Sequence, residues 1–245
     1  MDDLGDGLKD QESDNVVGRE LFETMLDFAR QVQKATDEPL ETTLRTCTPL
    51  GHWFHSPEQW KNYLDGLDSE KDPLRRAVRL MDEPQQSSEH MEFPAFGSFT
   101  FDYTSNAINI HFGREPQTVS PLSKEKVPER IQDLRDMFAH IKENFPDAKE
   151  VRGWSWLYNL EAYKRLLPPS YVASIQPDTN PENIRGDALW AQFLDHRHHV
   201  KPEMYETLKK NLERSGPNDI LSLFPFQIMT AHAPIQDFYD FYNIK

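Results

Sequence analysis

The sequence predicts an α+β protein, an antiparallel-dominated mixed sheet flanked by helices, with a helical region ahead of it. Three observations carry that reading. Apolar and polar residues alternate with a period of two in Gly97 to Tyr103 and again in Ala107 to Phe112, as in half-buried strands. Leu21, Met25, Phe28 and Val32, and later Ile131, Leu134, Phe138 and Ile141, recur at helical spacing. The order hairpin, helix, strand, helix then makes the last strand a crossover partner of the hairpin.

Residues 1 to about 15 are acidic and lack a hydrophobic period, so a disordered tail is expected there. From Val16 an apolar stripe widened by Leu26 and Ala29 predicts a helix that Thr36-Asp37-Glu38-Pro39 ends. Further helices are expected over Pro57 to Leu67, on Trp60, Tyr63, Leu64 and Leu67, and over Pro73 to Met81. The polar run Asp82 to His90 is a boundary signal. The organisation expected is therefore a tail at 1–15, a helical region at 16–90 and an α+β domain at 91–245.

The hairpin carries the sharpest expectation. If Phe99, Phe101 and Tyr103 share a face with Ile108, Ile110 and Phe112, the turn must have even length. A two-residue turn at Ser105-Asn106, or a four-residue one around it, opposes Tyr103 to Ile108, Phe101 to Ile110 and Phe99 to Phe112. Thr100, Asp102, Asn109 and His111 then gather on the other face.

A helix from about Pro128 to Asn144 follows, closed by Pro146-Asp147. Val151 to Trp156 has strand composition, with Arg152, Trp154 and Trp156 on one face and Val151, Gly153 and Ser155 on the other. Asn159 is expected to cap a helix on Leu160, Tyr163 and Leu167 that Pro168-Pro169 stops. Val172 to Gln176 reads as a short strand, Ala188 to Asp195 and Pro202 to Arg214 as helices, Phe226 to Ala231 as a last strand, and Ile235 to Tyr242 as a closing helix.

The formal charge of −14 argues against nucleic-acid and anionic-membrane partners, which need a clustered basic surface. A single cysteine, Cys47, excludes an intramolecular disulfide framework and a thiolate zinc cluster. No apolar run approaches the roughly 18 residues of a membrane span, and the first residues lack the features of a signal peptide. A cytoplasmic location is the default expectation.

Several residues invite a chemical reading. His111 beside Thr100, Asp102 and Asn109 has the spacing of a general base held against an orienting carboxylate. Gly153-Trp154-Ser155-Trp156-Leu157 lacks one glycine of a nucleophile elbow around Ser155, with Asp178 or Asp195 and then His232 in the order of hydrolase partners. Trp154, Trp156, Tyr158 and Trp190 are the aromatic residues expected to line a pocket. Asp195 and His199 would stand one turn apart on a continued helix, but the zinc-helix pattern is missing and no metal is expected. His52, His55 and His232 are weaker candidates, and a phosphate-cradling glycine loop is absent.

The strand Ile-Asn-Ile-His-Phe (Ile108 to Phe112), an amphipathic helix ending in Glu143-Asn144-Phe145-Pro146-Asp147, Ser155-Trp156-Leu157 and Leu166-Leu167-Pro168-Pro169 form a further pattern. Over roughly residues 93 to 175 it resembles the C-terminal domain of a group of bacterial acyltransferase-like proteins with a GNAT-like fold. That group carries Ile-His-Ile-Pro, a helix, a Cys-His-Ser-Trp-Leu strand and a Leu-Leu-Pro ending, so Gly153-Trp154 replaces Cys-His here. The resemblance implies a GNAT-like fold and acyl transfer from an acyl-CoA to a small-molecule amine or hydroxyl acceptor. His111 is the matched base, and Asn109, Trp154, Ser155, Trp156 and Tyr158 surround the substrate. A relative of that group that has lost catalysis belongs to the same expectation; the alternative is a non-enzymatic module whose acidic surface and aromatic faces recognise a basic protein partner.

Overall fold

The computed structural model describes residues 7–50, 57–67, 94–113, 118–178, 187–197 and 199–245. The expected helix at Pro73 to Met81, the boundary at Asp82 to His90, and His52, His55 and His198 lie outside them. The chain divides into two compact units, Met1–Ser88 with Pro181–Pro225, and Glu89–Asn180 with Phe226–Lys245.

In the first unit, helix α1 (Gly7–Thr36) is followed by α2 (Leu40–Cys47) and α3 (Pro57–Leu67). Helix α1 begins within the stretch expected to be a disordered tail. That expectation rested on the missing hydrophobic period alone, which does not by itself exclude a helix. Met25, Phe28 and Val32 are buried on one stripe of α1, as their spacing predicts, but Leu21 is only half-buried and the adjacent Phe22 is the buried residue. Phe28 meets Trp190 and Phe224 edge to face, at 5.6 and 6.1 Å between ring centres.

Those aromatic contacts explain why residues 181–225 belong with the N-terminal helices and not with the sheet, a grouping that differs from the single 91–245 domain expected. The segment expected to be helical from Ala188 to Asp195 is helical only from Asp187 to Trp190, with a 3-10 turn over Ala191–Phe193. The expected continuation to Asp195 is broken because Leu194 pairs with Val200 in an isolated bridge.

The second unit holds a mixed sheet of five strands among the described residues: β1 (Phe99–Thr104), β2 (Ala107–Phe112), β3 (Glu150–Ser155), β4 (Gln176–Pro177) and β5 (Met229–Pro234). Their order is β1-β2-β3-β5-β4, and only β2 and β3 run parallel. The β1–β2 register is the one the alternation requires, with Phe99 opposite Phe112, Phe101 opposite Ile110 and Tyr103 opposite Ile108. Ser105 and Asn106 form the turn with φ of 54° and 60°, the left-handed pair that a two-residue hairpin demands.

Helix α4 (Val127–Asn144) makes the crossover from β2 to β3. Its Leu134, Phe138 and Ile141 pack with Phe99, Phe101, Ile108, Ile110 and Val151 into one core. After β3 the chain makes a 3-10 turn over Trp156–Asn159, then the short helices α5 (Glu161–Lys164) and α6 (Pro169–Ala173). Asn159 does not cap a helix. Ser155 caps the 3-10 turn instead, and the Asn159 amide donates to the carbonyls of Trp156 and Gln227. Pro169 begins α6, its fixed φ and missing N–H costing nothing at a first helical turn, so the expected strand at Val172 to Gln176 shrinks to β4.

Helix α7 is the Asp187–Trp190 segment, α8 spans Pro202–Ser215 and α9 Ile220–Leu223, all in the first unit. Strand β5 lies three residues later than expected, and α10 (Ile235–Tyr242) closes the chain over the expected residues. Phe138 of α4 stacks on Phe238 of α10 with ring centres 4.7 Å apart, so both helices bury the same face of the sheet.

Candidate functional site

Strand alternation separates two sets of side chains. On the core face, Gly153 of β3 lies so close to Tyr158 and Tyr171 that a Cβ there would collide with both hydroxyls. The two hydroxyls hydrogen-bond each other at 2.6 Å. Burial pushes the ionisation of both well above the ordinary tyrosine range. A glycine in mid-strand marks a close approach, and here the approach is by two phenols.

On the other face the paired residues form rows across the sheet. One row runs Asp102, Asn109, Arg152 and His232 over β1, β2, β3 and β5; the neighbouring positions are Thr100, His111, Trp154 and Thr230. His111 Nε2 lies 2.8 Å from Asp102 Oδ2, and Asn109 Nδ2 donates to Asp102 Oδ1 at 2.5 Å. Thr104 Oγ1 adds a longer contact of 3.4 Å to Asp102 Oδ1. The indole of Trp154 is 43% exposed and stands edge-on to His111, ring centres 6.0 Å apart at 89°. Arg152 is ion-paired with Glu150 on the same strand.

The ladder between β2 and β3 is short. It pairs Ala107 with Glu150, Ile108 with Val151 and Asn109 with Arg152, then ends. The flanking ladders continue, β1–β2 out to Phe112 and β3–β5 out to Ser155. Past Asn109 and Arg152 the two parallel strands are no longer paired with each other, while each stays held by its other neighbour. Gly113 N donates to Ser98 O, and Ile235 N donates to Lys149 O. Antiparallel alternation from those two bonds turns the main-chain N–H and C=O of Phe112 and Trp154 toward the gap. His111 and Trp154 flank the gap just beyond the last rung.

These positions sort the residues singled out from sequence. His111, Asp102, Asn109 and Trp154 come together on the open face. Ser155 points to the opposite side of β3, and its Oγ accepts the N–H of Leu157 at 3.1 Å, so it is engaged as a cap and not aligned with a histidine. Tyr158 is buried under Gly153, and Trp156 stacks on Phe226 at 5.8 Å. Trp190 is fully buried in the other unit. Asp195 ends up in a turn in which its Oδ1 accepts the N–H groups of Arg197 and His199, in place of the helix that would have put Asp195 and His199 on one face.

Sequence reasoning did not single out Arg152 and His232 as members of the same face as His111. The alternation inside β5 carried that signal, but only pairing with β3 gives it an address. Among the described residues, no three or more His, Cys, Asp or Glu side chains group so as to hold a metal, and no helix is long and apolar enough to cross a membrane. No family model matches the chain, and no curated protein or solved structure is significantly similar to it.

Proposed function

We propose that the sheet unit is a GNAT-like acyltransferase, or a relative that has lost catalysis, taking an acyl-CoA between β2 and β3 and an amine or hydroxyl acceptor beside His111. The observation that carries this reading is the early end of the parallel β2–β3 ladder, with His111 and Asp102 beside it. An extended thioester with amide groups in its arm is suited to such a gap, because the strands' free main-chain donors and acceptors can pair with those amides. The hairpin, helix, parallel strand and helix also follow the order of the resemblance drawn from Ile108 to Phe112 and Ser155 to Leu157.

In this reading His111 takes the proton from the acceptor as its nitrogen or oxygen attacks the thioester carbonyl. The carbon–sulfur bond then breaks, and CoA leaves as the thiol after taking up one proton. Asp102 stabilises the imidazolium formed in between. Trp154 walls the acceptor side. Ser155 and Tyr158 have no part in the chemistry, since one caps a turn and the other is buried.

The alternative, an acidic module that binds a basic protein, calls for a closed sheet and gains nothing from the gap. Thermal-shift titration with acetyl-CoA, longer acyl-CoAs and free CoA tests the choice. Saturable stabilisation is expected, reaching about 2.7 kcal/mol at a hundred times the dissociation constant. Absence of any shift with all of these ligands contradicts CoA-dependent transfer.

A further inference from the structure

We infer that Asn109 is a positioning residue that locks His111 in its Nε2–H tautomer, so that Nδ1 is the atom that takes the proton. The role in catalysis rests on the reading above; the lock itself does not.

The geometry begins with strand register. Asp102 of β1 is directly opposite Asn109 of β2, whereas His111 is the partner of Thr100. Asp102 therefore reaches His111 only along the diagonal, where Cβ atoms are some 7 Å apart and a short carboxylate has little length to spare. Apart from Asn109, only the longer 3.4 Å contact of Thr104 Oγ1 restrains that carboxylate, on an open face where Asp102 and His111 are 38% and 42% exposed. The Asn109 amide holds it by donating to Oδ1 at 2.5 Å, which leaves Oδ2 aimed at Nε2 at 2.8 Å.

The chemistry then fixes the proton. An ionised carboxylate only accepts hydrogen bonds, so the imidazole nitrogen facing it must carry the hydrogen. Neutral His111 thus holds its hydrogen on Nε2 and its lone pair on Nδ1. Among the described residues, no hydrogen bond to Nδ1 is present that would oppose this choice. Asn109 performs the task without neutralising Asp102, because its amide is uncharged. The nearest cation in the row is Arg152, the β3 partner of Asn109, and Glu150 engages its guanidinium on β3 itself. The full negative charge of Asp102 therefore remains to stabilise a protonated His111.

Asn109 also occupies the last rung of the β2–β3 ladder. The residue that orients the carboxylate is thus fixed by backbone pairing on both sides, toward β1 and toward β3, while His111 two residues on is free of the second constraint.

Long-range nitrogen–proton correlation spectra of the histidine-labelled full chain, at a pH where His111 is neutral, read the tautomer directly, with His111→Asn assigning the signal. The wild type is expected to show Nε2–H as the dominant form. Asn109→Leu, similar in size and without a donor, should lower the Nε2–H to Nδ1–H ratio by about tenfold, the scale of one hydrogen bond to a charged group. Asn109→Thr, whose hydroxyl can donate, should restore the ratio to within about threefold of the wild type. Unchanged thermal unfolding separates this from a loss of fold. A wild-type Nδ1–H form, or an Asn109→Leu ratio equal to wild type in a folded chain, overturns the inference. Neither result depends on ligand: a locked tautomer in a protein that binds no acyl-CoA would sink the acyltransferase reading and leave the lock standing.

Discussion

The two faces of the sheet are built from the same strands, one residue apart, and they do opposite work. Phe99, Phe101, Ile108, Ile110 and Val151 are buried beneath α4 and α10, where close packing leaves no room even for a Cβ at Gly153. Asp102, Asn109, His111, Arg152 and Trp154, each next in sequence to a core-face residue, remain partly or largely exposed; Asp102 hydrogen-bonds Asn109 and His111, His111 meets the Trp154 ring, and Arg152 pairs with Glu150. The contrast teaches that core packing and the exposed polar cluster are separated here by strand parity. Substitutions on the core face should be felt in folding, and under the proposed function substitutions on the other should be felt in activity.

The largest effect on stability is expected from Phe138→Ala. It removes the ring stacked on Phe238 and Tyr242 and leaves a cavity in the centre of the core, at about 4 kcal/mol in urea unfolding. Gly153→Ala comes next, at about 2 to 3 kcal/mol, because the new methyl meets the hydroxyls of Tyr158 and Tyr171. Adding Tyr158→Phe to it should recover part of that loss; a double variant as unstable as the sum of the two would break the steric account. Tyr171→Phe alone should cost about 1 to 2 kcal/mol, since it leaves the buried Tyr158 hydroxyl without its partner.

The buried phenols also set a pH dependence. Tyr158, Tyr163, Tyr171 and Tyr242 are all held neutral by burial above the ordinary value of 10.0. Below that pH both folded and unfolded states keep the protons, so the stabilising contribution is complete. Above it the unfolded chain releases protons that the folded one retains, and stability falls by about 1.4 kcal/mol per pH unit for each tyrosine. An alkaline unfolding series should show this slope, and Tyr171→Phe should reduce it. His111→Ala closes the sequence, with less than about 0.5 kcal/mol lost from folding on a half-exposed site. In a transfer assay the same variant should lose about a hundredfold in rate or more.

How much of this was legible in the sequence follows the same division by range. The hairpin register was readable because a one-residue slip would turn Phe101 and Ile110 to water, and α10 was readable because Ile235 and Tyr242 bound an uninterrupted aromatic stripe. That His111 and Asp102 share a face followed from register, but their hydrogen bond runs along the diagonal and was not given by it. What depended on competition between local partners was not readable: Ser155 and Asn159 are both good caps, and only the backbone at the end of β3 decides between them. Trp190 shows the limit of composition. It is as aromatic as Trp154, yet its neighbours Phe28 and Phe224 are distant in sequence and draw it into the other unit. The early end of the β2–β3 ladder had no local signal, since Ile110 and Gly153 each satisfy the strand pattern of their own segment.

The most direct test of the gap between β2 and β3 as the acyl-CoA site is amide chemical-shift mapping during titration of the labelled full chain with acetyl-CoA and a longer acyl-CoA. The account predicts saturable shifts concentrated at Ile110 to Phe112 and Gly153 to Ser155, with the core-face amides of α4 little changed. Saturable shifts confined to other segments, or none with either ligand, would contradict it.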